Sequence, residues 1–144
     1  MYFHSVVMNV ADLDRSVDFY REIFGFSLVA RRDQIAAMSA PDSQRPQVIV
    51  LRAFGTSGRV GGGRQIGIRA LILEVDSVDA LEGIADALDH RGCLVGKRAG
   101  VGWTAVLGHD PDRTAVVAGA SLEPGPISLE GWKALDEILY GLGE

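Results

Sequence analysis

The chain has a single cysteine, Cys93, among its 144 residues. No internal disulfide is available, which suits a reducing cytoplasm. The side chain itself reads as a small apolar filler in a strand rather than a reactive thiol. Long hydrophobic runs are also missing. Val48–Leu51 and Ala70–Leu73 are far shorter than the roughly 20 residues a membrane helix needs. Met1–His4 has neither the charged nor the apolar region of a signal peptide, so a cytoplasmic protein with no membrane contact is expected. Positive charge is scarce. The net charge of −5 with no basic stripe opposes generic nucleic-acid binding, and no nucleic-acid partner is expected. Arg31-Arg32 and Lys97-Arg98 are short pairs at strand ends, either solvated or available to steer an anionic ligand. The glycine-rich stretch 55–67 lacks the lysine and hydroxyl that close a phosphate-binding loop, and reads instead as a flexible connection.

What is present is globular. Hydrophobic residues make up 47% of the chain, enough for a core and too many for a disordered polymer. The length fits one domain or two small fused modules. Residues 3–10 alternate as a half-buried strand, with Val6, Met8 and Val10 on one face and Ser5, Val7 and Asn9 on the other. Asp12 or Asp14 can cap the next helix, whose Leu13, Val17, Tyr20 and Phe24 form one apolar stripe. Gly25 stands where a left-handed terminal residue is wanted. Strands follow at 26–31, 35–40 and 47–54, with Pro41 and Pro46 bracketing the last turn.

About 65 residues on, matching Val10 to Val75, the order recurs. A strand at 68–75 precedes a helix at 77–91 carrying Val78, Leu81, Ile84 and Leu88, stopped by Gly92. Strands at 93–98, 103–108 and 114–121 complete the second copy, with Asp110-Pro111-Asp112 as a turn. A third helical stripe, Trp132, Leu135, Leu139 and Leu142, follows Ser128. It either packs on the core or serves as a lid or subunit contact. The expected divisions are a first βαβββ module at 1–54, the linker at 55–67, a second module at 68–122 and a helical extension at 123–144.

Asn9-Val10-Ala11-Asp12-Leu13, Phe19-Tyr20, Gly25-Phe26, Glu74-Val75-Asp76 and Asp110-Pro111-Asp112 together resemble the vicinal oxygen chelate superfamily. That group includes glyoxalase I, extradiol dioxygenases, fosfomycin-resistance enzymes and bleomycin-resistance proteins. The resemblance covers the chain to about Leu122. It implies an α+β fold in which two βαβββ modules form a cup-shaped mixed β-sheet cavity, with a C-terminal helix added here. One departure is Arg113, because the family usually has glycine after Asp-Pro-Asp.

The resemblance also implies where a metal would sit. Such enzymes commonly hold a divalent ion through His, Glu or Gln on four cavity-facing strands. Carried over one at a time, those positions are Ser5, Val50, Ala70 and Val117. Three are hydrocarbon and one is a neutral hydroxyl, so no metal and no other cofactor is expected. His4 neighbours the first position, but a one-residue offset turns its side chain to the opposite face. His90 suits a helix end electrostatically, and His109 lies near a strand rim.

A metal-free cavity would be concave, mostly apolar and sparsely polar. Its expected ligand-binding lining is Ser5, Val7, Asn9, Val50, Arg52, Ala70, Ile72, Glu74, Trp103 and Val117, with Val48, Ala115 and Gly119 beside them. Asn9, Arg52 and Glu74 are the polar candidates for orienting a ligand. Trp103 either stacks a flat ligand or packs at the core or rim. Three functions follow. The first is metal-independent small-molecule binding, resembling the drug-sequestering bleomycin-resistance branch. The second is a metal-free or atypical glyoxalase- or dioxygenase-like enzyme (a lyase, isomerase or oxidoreductase) using Glu74 or His109 as acid or base. The third is a regulatory or assembly protein that keeps the fold as a dimer scaffold. Unpaired strand edges favour a homodimer in each case.

Overall fold

The computed structural model describes residues 5–41, 47–55, 70–100 and 102–121. The chain divides into two compact units, residues 1–59 and 60–144. The expected linker, the C-terminal helical extension and His4 lie outside the described residues, apart from Gly55 at the linker's start.

In the first unit β1 (Ser5–Val10) leads into α1 (Leu13–Phe24), then β2 (Ser27–Arg32), β3 (Ile35–Ser39) and β4 (Val48–Ala53). The strands form one sheet in the order β1-β4-β3-β2, with β1 parallel to β4 and the other pairs antiparallel. Of the two candidate caps, Asp12 does the work. Its Oδ1 accepts the Arg15 N–H at 2.9 Å, satisfying one of the free amides of the first turn. Gly25 ends the helix at φ +70°, a left-handed conformation that glycine adopts without a Cβ penalty. The whole expected stripe of α1 is buried, joined by Ser16, Phe19 and Ile23. Phe19, Tyr20, Phe24 and Phe26 make edge-on and tilted ring contacts between 5.2 and 6.2 Å. α1 packs on β3 and β4, whose Met38, Ile49 and Leu51 are buried.

The second unit repeats this plan with β5 (Ala70–Glu74), α2 (Val78–His90), β6 (Leu94–Gly100), β7 (Trp103–His109) and β8 (Ala115–Ser121). Its sheet order is β5-β8-β7-β6, with β5 and β8 parallel. Ser77 caps α2 by accepting the Ala80 N–H at 3.1 Å. The stripe of α2 differs from expectation. Leu81, Ala85 and Leu88 are buried while Val78 is 38% exposed. Ala85 can sit at the contact because it lets the helix approach the sheet closely, and Val78 occupies the solvated first turn. The second unit's last helix-side strand positions, Val106, Val116, Ala118 and Ala120, complete that core.

Internal duplication is visible in the irregularities as well as the order. The β2–β3 pairing shifts register between Leu28 and Ala30, and β6–β7 shifts between Leu94 and Gly96. The two bulges fall at equivalent places, and the extra residue in each is an exposed valine, Val29 or Val95. Extra residues of this kind leave one residue unpaired and bend the strand locally.

The unexpected Arg113 is also explained. It sits at φ +66°, the left-handed region that favours glycine. The turn holds without glycine because buried Asp110 accepts the N–H groups of Asp112 and Thr114 at 2.9 and 2.8 Å. The Arg113 N–H donates to the Asp110 carbonyl at 3.0 Å.

Candidate functional site

Each sheet has a helix on one face, and strand alternation assigns every other residue to the opposite face, which is the more open one in the first sheet. In the first sheet the register aligns Ser5 with Val48, Val7 with Val50 and Asn9 with Arg52. Across β3 the same rows continue as Ser39, Ala37 and Ile35. The open face therefore has an apolar middle row, Val7–Val50–Ala37, and a polar row carrying Asn9 and Arg52. Val7 is 62% exposed, Asn9 and Arg52 are exposed, and Ser5 and Val50 are half-buried. Arg52 makes no ion pair among the described residues.

The second sheet places Ala70 beside Ala115, Ile72 beside Val117 and Glu74 beside Gly119. Asn9 and Glu74 occupy equivalent positions and both are exposed. Here the symmetry of environment ends. Ala105, Leu107 and Val117 form a buried cluster on the face turned away from α2, with Trp103 packed against it. Val117 has the expected orientation but is fully buried, so its surface is already used in packing. Trp103 is half-buried and lies across β6. A Cβ built on Gly100 would come within 2.6 Å of its Cε2 atom, so only glycine fits beneath the indole. This packing is the core-or-rim alternative for Trp103. Ala70 is half-buried and Ile72 is 40% exposed at the edge strand.

The arginine and lysine doublets split between faces. Arg31 Nη2 reaches Asp14 of α1 at 2.6 Å, and Lys97 pairs with Glu82 of α2. The hydrogen bond from Lys97 to Glu82 holds its ammonium above the ordinary lysine pKa. Their neighbours Arg32 and Arg98 lie on the faces turned away from the helices, aligned with Ile35 and Ala105. Arg98 Nη1 donates to the Lys97 carbonyl at 2.8 Å. Sequence reading paired these residues only as strand-end charges. The bulge that sets which of each pair faces the helix has no sequence signature of its own.

His109 is half-buried at the end of β7, beside Ala115. Its Nδ1 is the one buried side-chain nitrogen or oxygen among the described residues without a hydrogen-bond partner. His90 is exposed in the last turn of α2. Cys93 is half-buried, with its thiol 3.6 Å from the Arg91 carbonyl it donates to.

The sequence model of the glyoxalase/bleomycin resistance protein/dioxygenase superfamily matches residues 2–117. The chain belongs to this superfamily. Solved structures agree on the fold. A glyoxalase/bleomycin resistance protein/dioxygenase domain from Frankia sp. EAN1pec aligns with TM-score 0.71 at 21% identity, covering 87% of this chain and 94% of that one. A lactoylglutathione lyase from Agrobacterium tumefaciens gives 0.64 at 18%, covering 87% and 97%. A genomically encoded fosfomycin resistance protein from Listeria monocytogenes gives 0.67 at 13%, covering 91% and 97%. No curated protein sequence matches the chain.

Many members of the superfamily carry a divalent metal, and the register allows a test of whether these residues fit one. Val50 pairs with Val7, two residues beyond Ser5, and Val117 pairs with Ile72, two residues beyond Ala70. The two halves of the implied ligand set are thus related identically in the two modules. Their chemistry fails: one hydroxyl and three hydrocarbon side chains offer no donor set for a divalent ion. Among the described residues no three His, Cys, Asp or Glu side chains gather where they could share a metal. The residues present do not fit a divalent metal. Among the described residues, no helix is long and apolar enough to cross a membrane.

Proposed function

We propose that the protein binds a small molecule without a metal, using the open face of its first sheet, in the manner of a sequestering protein. The observation that carries this reading is the chemistry of Ser5, Val50, Ala70 and Val117 at the family's metal positions. The apolar row Val7–Val50–Ala37, exposed at Val7 and half-buried at the other two, is bordered by Asn9 and Arg52 and supports it, since pockets for small molecules pair apolar area with a few orienting polar groups. Glu74 supplies the corresponding polar group on the second sheet. A homodimer, cytoplasmic and free of nucleic acid and membrane, belongs to the same proposal. It rests on edge strand β2, which has no buried residue along its length.

The test is metal content of the purified protein, followed by titration of Ni²⁺, Zn²⁺, Mn²⁺ and Fe²⁺ after chelator treatment. The expected result is no stoichiometric binding. One tight metal per chain would overturn the reading. Alanine at Asn9, Arg52 or Glu74 should weaken a bound ligand while leaving the folding transition in place. Unchanged affinity in all three would remove the site assignment.

A second reading, metal-free catalysis, is favoured by one observation only. The buried, unpartnered Nδ1 of His109 is the kind of polar atom that a substrate or a proton transfer could satisfy. His109→Gln abolishing a turnover that wild type shows, with folding intact, would move the protein to this class.

A further inference from the structure

We propose that the open face of the first sheet recognises an organic carboxylate, with Arg52 and Asn9 holding the anion and the apolar row holding its body. This rests on the small-molecule-binding reading above and names the ligand's chemistry. Overall charge points the other way, because a chain at −5 would be expected to attract cations. The structure resolves where that charge lies. Residues 1–59 carry seven basic and six acidic side chains, whereas residues 60–144 carry seven and thirteen. The negative charge of the protein belongs to its second unit.

Within the first unit the separation continues. Its four strands contain no aspartate or glutamate. Of their three arginines, Arg31 is neutralised by Asp14 on the helix side. Arg32 has only Asp33, at 4.0 Å with both side chains almost fully exposed, an arrangement that contributes little. Arg52 has no counter-ion among the described residues, and the acidic groups of α1 lie across the sheet from it. An unopposed guanidinium on a surface without acids is a standing site for an oxyanion.

Geometry narrows the anion. Arg52 and Asn9 are register partners on adjacent parallel strands, about 4.8 Å apart along the hydrogen-bonding direction. The guanidinium fork matches a planar carboxylate in bidentate fashion, and the Asn9 amide adds a neutral donor to the same group. Next to them, Val7, Val50 and Ala37 form a flat apolar row with no side chain larger than valine. A ring or short chain attached to the carboxylate can lie on that row. Arg32, on the same register line beyond Ile35, adds long-range attraction without contact.

The experiment is calorimetric titration of the full chain with three isosteric probes: 1-naphthoate, 1-naphthamide and 1-naphthylmethylammonium. Saturable naphthoate binding, about tenfold tighter than naphthamide and with no binding of the cation, is expected for one charge-assisted contact. Arg52→Ala should erase the preference, and Arg52→Lys should restore only part of it. Raising the salt concentration should weaken naphthoate alone. Because Arg52 is exposed, its variants should keep the wild-type urea midpoint. Equal binding of naphthoate and naphthamide, or a preference that survives Arg52→Ala, would overturn the carboxylate proposal and leave small-molecule binding standing. Failure of all three probes at millimolar concentration would overturn both.

Discussion

Val50 and Val117 are equivalent residues in the two modules, yet they should respond very differently to truncation. Both lie on the inner strand next to the parallel edge, β4 and β8, and both face away from their helix. Any loss of strand propensity on mutation to alanine is therefore common to both. Burial is not. Val117 is fully buried against Ala105 and Leu107, while Val50 is only half-buried between exposed Val7 and half-buried Ala37. Removing two methyl groups at about 0.8 kcal/mol each gives roughly 1.6 kcal/mol for Val117→Ala. The cavity adds to this, because Ala105 is too small to fill it, bringing the total to about 2–3 kcal/mol. At Val50 the transfer is partial and the space opens to solvent, so about 1 kcal/mol or less is expected. Val7→Ala, at a site 62% exposed, should stay within about 0.5 kcal/mol. Urea denaturation at fixed pH, followed by far-ultraviolet circular dichroism, reads all three against wild type. Equal losses at Val50 and Val117 would refute the argument, since the two faces would then be equally covered. The first sheet would lose its claim to be the accessible one.

Further outcomes follow from local geometry. Arg113→Gly should raise stability by about 0.5–1 kcal/mol, because it relieves a left-handed residue while giving back part of the gain as chain entropy; a lower urea midpoint would contradict this. Gly108→Ala should destabilise by about 1–3 kcal/mol. Its Cβ would sit 2.9 Å from both the Cys93 carbonyl oxygen and Leu88 Cδ1, and the carbonyl is fixed by the His109 N–H. An unchanged melting temperature would mean that β7 and α2 are not packed this closely. For Lys97 the folded-state pKa is raised above 10.5, chiefly by the Glu82 hydrogen bond. Its contribution should be complete below the unfolded value and lost as pH climbs through the folded one. The stability difference between wild type and Lys97→Met should therefore be flat from neutral pH to mildly alkaline and then vanish. It should also shrink in high salt, as befits an exposed pair. A difference that grows with pH would reverse the assignment.

Elements with strong local signals were legible in advance. The stripe of α1, its stop at Gly25 and the alternation of β1 each have a cause within a few residues, and each stands where the pattern puts it. The parallel pairings of β1 with β4 and β5 with β8 join strands far apart in the chain, and no local pattern specifies them. Local pattern blurred at α2, where Ala85 rather than Val78 makes the contact. Helical spacing alone cannot say which flank of a stripe meets the sheet. The bulges at Val29 and Val95 were invisible because each depends on a partner strand.

The sequence by itself determined the duplicated α+β plan and the identities of Ser5, Val50, Ala70 and Val117, because periodicity, caps and residue chemistry are local properties. Only tertiary structure decided that Arg31 and Lys97 face helices while Arg32 and Arg98 face away, since a one-residue bulge sets that parity. It alone decided, too, that Val117 is sealed in packing while Val7 and Arg52 stay open. Burial depends on what lies across a sheet, and equivalent residues in a repeat share a strand position without sharing those neighbours.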